Sequence, residues 1–97
     1  MFKVILLPEV EDDLMLFDSD ILSEVDGYMK QYEINPFACS QPLVGNLASC
    51  RKTYIANATY RIIIKVEKDV TKIVNIVAIG KREAKEVYQN AYDRIRE

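Results

Sequence analysis

The sequence predicts an α+β fold: an N-terminal strand, an α-helical hairpin, an antiparallel β-meander and a C-terminal helix, in the order β-α-α-β-β-β-α. Three observations predict it. Residues 60–67 and 72–79 are β-branched runs joined by a short charged segment, the pattern of paired strands lying inside a sheet. Apolar residues recur at helical spacing over 21–32 and again over 84–95. Pro8, Asn35-Pro36 and Gly80 punctuate the chain where one element should give way to the next.

The elements follow in order. Phe2 to Leu7 is a short apolar run that reads as a strand, and Pro8 ends it while suiting the first turn of a helix. Glu9, Glu11, Asp12 and Asp13 then crowd the first helical turns, with Val10, Leu14 and Phe17 as the apolar stripe. Asp18 or Ser19 caps a second helix whose buried face is Ile21, Leu22, Val25, Tyr28, Met29 and Tyr32. This hairpin should carry its acids outward, and Asn35-Pro36 ends it. Residues 37–49 read as irregular. Strands are expected at 51–56, 60–67 and 72–79, with turns at 57–59 and 68–71. Gly80 should break the last strand. The C-terminal helix is expected over 83–96, near the sheet edge, with both hairpin helices on one face of the sheet.

Composition narrows the class. Residues 1–97 read as one domain, 49% hydrophobic and 29% charged, as in an ordinary soluble protein. No apolar run reaches the ~18 residues of a membrane span, and the N-terminal run is too short for a signal-peptide core, so a cytoplasmic protein is expected. Cys39 and Cys50 match no zinc spacing and no histidine could complete a site; a disulfide is one expectation, and two buried or partly buried thiols in a reducing compartment are the favoured one. Charge is segregated: residues 1–33 hold nine acids against Lys3 and Lys30, whereas residues 34–97 hold eleven Lys and Arg against six acids. Such asymmetry suits a polyanion-binding protein, and equally an acidic hairpin that merely solvates its outer face.

Strand alternation selects the candidate site. Tyr60, Ile62, Ile64 and Val66 must face the core, so Arg61 and Lys65 look away from the helical hairpin. If Lys52 and Tyr54 do the same, a concave face carries Lys52, Tyr54, Arg61 and Lys65, with Lys81 and Arg82 beside it. Guanidinium forks and ammonium groups suit phosphate oxygens, and tyrosines offer stacking surfaces for unpaired bases. No basic helix could enter a major groove. Packing alone would also account for Tyr88, which lies on the stripe 84-87-88-91-95.

These residues resemble the RelE toxins of the RelE/ParE superfamily. The resemblance rests on Cys50-Arg51-Lys52, on Tyr60-Arg61-Ile62, on Pro42 to Leu47, and most specifically on Gly80-Lys81-Arg82-Glu83 followed by Glu86-Val87-Tyr88. It implies a ribosome-dependent mRNA endonuclease that needs no metal or other cofactor. In that chemistry the ribose 2′-hydroxyl attacks the adjacent phosphate. Lys52 and Arg61 would hold the phosphate, Arg82 would serve the phosphate or the leaving 5′-oxygen, and Tyr88 would be the base or position the 2′-hydroxyl. Arg51, Tyr54, Lys65 and Lys81 would contact RNA. The implied partners are a small acidic RelB-like antitoxin, the ribosome and mRNA, with no membrane.

Two departures stand out. The RelE pattern has a second lysine where this chain has Tyr54, and the net charge of −2 is unusual for ribosome-binding toxins. Lys65, or Arg51 if it faced the site, could supply the missing charge. Alternative readings are a ParE-like inhibitor of DNA gyrase, against which the Arg82–Tyr88 motif counts, and a degenerate member that only binds antitoxin or RNA.

Overall fold

The computed structural model describes residues 1–81 and 86–96. Strand β1 (Lys3–Leu6) leads through Pro8 into helix α1 (Pro8–Leu14). Helix α2 (Ser19–Ile34) follows, and its cap is Asp18, whose carboxylate accepts the Ile21 N–H at 3.0 Å. Phe17 falls between the two helices rather than on α1, yet it still packs inward, edge-on to Tyr60 at 5.1 Å between ring centroids.

The region expected to be irregular contains a two-residue strand, β2 (Gln41–Pro42), and a single 3₁₀ turn (Gly45–Leu47) that Gly45 enters at φ 65°. Pro42 can occupy β2 because this is the edge of the sheet. The meander is β3 (Cys50–Ile55), β4 (Tyr60–Glu67) and β5 (Ile73–Lys81), and α3 (Glu86–Ile95) closes the described chain. Strand order is β1-β5-β4-β3-β2, with β1 parallel to β5 and the other pairs antiparallel.

Gly80 does not end β5. It lies inside the strand, opposite Arg61. The physical requirement is space: a Cβ at Gly80 would sit 3.3 Å from Val87 Cβ of α3. Residues 83–85 of the expected helix lie outside the described residues.

The sheet is apolar on both faces, so each must be covered. On one side Ile55, Ile62, Ile64, Val74, Ile76 and Ile79 pack against Val10, Val25 and Tyr32 of α1 and α2. On the other, Ile63, Val77 and Ala78 pack against Val87 and Ala91 of α3. The C-terminal helix therefore crosses the opposite face over β5 and β4, rather than standing near the sheet edge. A bulge makes this two-sided pattern possible. Ile63 pairs with Ala78 and Ile64 with Ile76, which leaves Val77 as an extra residue. Ile76 and Ile79 thus share a face although three positions apart.

Three further hydrogen bonds hold β3 and its turn. The buried Tyr32 hydroxyl donates to Thr53 Oγ1 at 2.5 Å, and Thr53 donates to the Cys39 carbonyl at 2.9 Å. Burial pushes the Tyr32 phenol well above its ordinary range, so it stays a neutral donor. After β3, Ala56, Asn57 and Ala58 run through φ values of 52°, 54° and 68°, with Glu24 accepting the Ala56 N–H at 3.2 Å. Left-handed backbone costs an L-residue about 1–2 kcal/mol. Ala58→Gly should therefore raise stability by roughly 0.5–1 kcal/mol after the extra freedom of glycine in the unfolded chain is discounted. A urea midpoint that stays put or falls would contradict this.

Candidate active site

Strand pairing brings three of the expected residues, Lys52, Tyr54 and Arg61, onto one face, and α3 adds a fourth, Tyr88. Tyr54 on β3 lies directly opposite Arg61 on β4. The Arg61 guanidinium carbon stands 4.5 Å from the Tyr54 ring centroid and 5.3 Å from that of Tyr88, so two phenol rings flank one cation. Lys52, two residues before Tyr54 on the same face, places its ammonium 5.0 Å from the Tyr54 ring. The row reads Lys52, Tyr54, Arg61, Tyr88. Gly80 completes it by omission, since a side chain there would push α3 away from Arg61.

The face is not open. Arg61 is only 7% exposed, because α3 covers it. The Tyr88 hydroxyl is also buried, with no hydrogen-bond partner among the described residues. A buried phenol without a partner is costly unless something else meets it. Tyr88 packs against an apolar cluster, and among the described residues the charge beside its ring is the Arg61 guanidinium, which favours an anionic or hydroxyl-bearing ligand.

The other expected residues separate from this row. Lys65 shares the face but lies about 13 Å further along β4, with Ile63 between. There it lines a small cavity of about 170 Å³ with Leu7, Asn75, Val77, Arg94 and Ile95, too far away to replace the lysine absent at Tyr54. Lys81 pairs with Tyr60 and is exposed beside a cleft of about 300 Å³, which also takes in Asp13, Leu16 and Phe17. Arg51 faces the opposite side and cannot supply the missing charge either. Its guanidinium donates to Ser40 Oγ at 2.7 Å and to the Ser40 carbonyl at 2.8 Å, and lies 5.1 Å from the Phe37 ring. Arg82 lies outside the described residues. Both cysteines are free thiols, and burial pushes that of Cys50 upward. Among the described residues no group of three or more metal-ligating side chains occurs.

No family model matches the chain, and no curated protein matches it. Solved structures do. The toxin RelE of E. coli, a double arginine-to-alanine mutant in the free state, aligns with a TM-score of 0.78 at 23% identity, over 97% of each chain. The toxin–antitoxin complex RelBE2 of Mycobacterium tuberculosis gives 0.73 at 22% identity, over 84% of this chain and 98% of that one. A YoeB/ParE toxin from Agrobacterium tumefaciens gives 0.71 at 17% identity, over 84% and 99%.

The chain has the RelE/ParE toxin fold.

Within this RelE/ParE fold, sequence reasoning missed two residues. Asp13 does not point outward with the other acids of the hairpin. It is 8% exposed, and its carboxylate takes the Ile79 N–H at 3.0 Å and both terminal nitrogens of Arg94, at 2.8 and 3.1 Å. Arg94 also donates to the Val77 carbonyl at 2.8 Å. Its hydrogen bonds to Asp13 hold the guanidinium more firmly protonated than usual. The crowd of acids in the first helical turns did not single out Asp13, and Arg94, with Arg96 beside it on an amphipathic helix, gave no signal.

Proposed function

We propose that this RelE/ParE-fold chain is the toxin of a toxin–antitoxin pair and cuts mRNA on the ribosome in the cytoplasm. The observation that carries the reading is the row Lys52, Tyr54, Arg61, Tyr88, in which a buried guanidinium lies between two phenols and one hydroxyl has no partner among the described residues. Lys52 and Arg61 hold the scissile phosphate and stabilise the charge that grows on its oxygens. The ribose 2′-oxygen forms a bond to phosphorus while the bond to the 5′-oxygen breaks. The 2′-proton leaves through Tyr88, or through a water that Tyr88 orients, and the departing 5′-oxygen takes up a proton. Products are a 2′,3′-cyclic phosphate and a 5′-hydroxyl. Arg82 assists at the phosphate or the leaving oxygen. Tyr54, in place of a second lysine, offers a ring for a base to stack on, whereas a positioned acid–base group such as Tyr88 contributes ~10²–10⁴ in rate. A small acidic antitoxin is the neutralising partner.

Adding the purified chain to a translation extract should produce cuts at ribosome-occupied codons, mapped by primer extension. The burial of Arg61 beneath α3 favours a second reading, a member that binds antitoxin or RNA without cutting. Intact mRNA with a folded chain that binds would support that reading, and inhibited gyrase supercoiling would indicate ParE-like action.

A further inference from the structure

Beyond residue 76, β5 has lost its neighbour on the β1 side. Strand β1 pairs only as far as Ile76, and the Leu7 N–H donates to the Ile76 carbonyl at 3.1 Å. The next edge groups, the Val77 carbonyl and the Ile79 N–H, are met by side chains instead: Arg94 from α3 donates to the first, and Asp13 from α1 accepts from the second. Arg94 and Asp13 then close on each other in a two-pronged ion pair, both largely buried.

We infer that Asp13 and Arg94 are positioning residues that clamp α3 against the β5 bulge and so hold Tyr88 beside Arg61. This rests on the proposed roles of Arg61 and Tyr88. Val87 and Ala91 attach the start and middle of α3 by apolar contact, which resists sliding poorly because it is non-directional. The fork of Arg94 sets both angle and register. Tyr88 lies six residues earlier, about 9 Å along the same rigid helix, so a shift at Arg94 carries over to the phenol. The clamp also fixes the bulge that places Gly80 opposite Arg61 and under Val87.

The test uses Arg94→Leu, with Arg94→Lys as a milder variant should the first fail to fold. Hydrogen exchange of the amides of residues 86–95 should accelerate about tenfold in Arg94→Leu while those of β4 stay protected. mRNA cleavage should lose kcat with little change in KM, and Arg94→Leu should cost nothing further in a Tyr88→Phe background. Unchanged exchange in α3, equal acceleration in α3 and β4, or losses that multiply in the double variant would overturn the clamp. If the unmodified chain cuts no mRNA, the proposed function fails, and the exchange measurement alone still decides the clamp.

Discussion

Arg61→Ala is expected to lower mRNA cleavage by about 10²–10³-fold, the usual loss when one preorganised donor to a developing oxyanion is removed. The size follows from where the guanidinium sits. It is nearly buried, flanked by the rings of Tyr54 and Tyr88, in a site where water screens charge weakly. Lys52, the other cation of the row, stands 5.0 Å from the Tyr54 ring and offers an ammonium rather than a second guanidinium fork. Arg61→Lys should recover little, because an ammonium lacks both the flat face that stacks between rings and the two-pronged fork. Lys30→Ala, on the exposed face of α2 in an i,i+4 pair with Asp26, should match the unmodified chain. Rates from primer extension in a translation extract decide the matter. Cleavage by Arg61→Ala within a few-fold of the parent would remove Arg61 from the chemistry.

Asp13→Ala should be the most damaging single change to stability. It strands the Arg94 guanidinium and the Ile79 N–H, both away from water, and breaking one side of a buried pair costs about 3–5 kcal/mol. Native domains of this size hold only about 5–15 kcal/mol, and each kcal/mol lost lowers Tm by roughly 4–8 °C. Urea and thermal melts should therefore show a large drop. Asp13→Asn should cost less, because its side-chain oxygen can still accept the Ile79 N–H. An Asp13→Ala midpoint within about 0.5 kcal/mol of the parent, the range of an ordinary surface substitution, would mean that the pair is solvated and energetically idle.

Much of the fold was legible because each element encodes its own buried face. Period-two alternation over 60–67 put Ile62 and Ile64 on one side and Arg61 on the other, and the pairing agrees. The same rule grouped Lys52 with Tyr54 and turned Arg51 the other way, and strand pairing then put that pair on the Arg61 face. Helical spacing in 21–32 located α2, and Asp18 marked its start. Local chemistry misled where a long-range demand overrode it. Gly80 looks like a strand breaker when read alone, but it is a strand residue made small by the helix above it. Asp13 looked like one more solvated acid until Arg94 arrived from 81 residues away.

The stretch of β-branched residues from Tyr60 to Ile79 was enough to specify a two-sided strand pair with Arg61 opposite the hairpin, since side-chain direction along a strand is a local, geometric matter. Tertiary structure alone decided that α3 would lie over that face, that Arg61 would be enclosed between Tyr54 and Tyr88, and that β1 would stop short and leave an edge for Asp13 and Arg94. The reason is physical. Periodicity tells each element which side to bury, whereas the partner that buries it is chosen by the whole chain at once, through the fit of apolar surfaces and the pairing of groups that no short segment can satisfy alone.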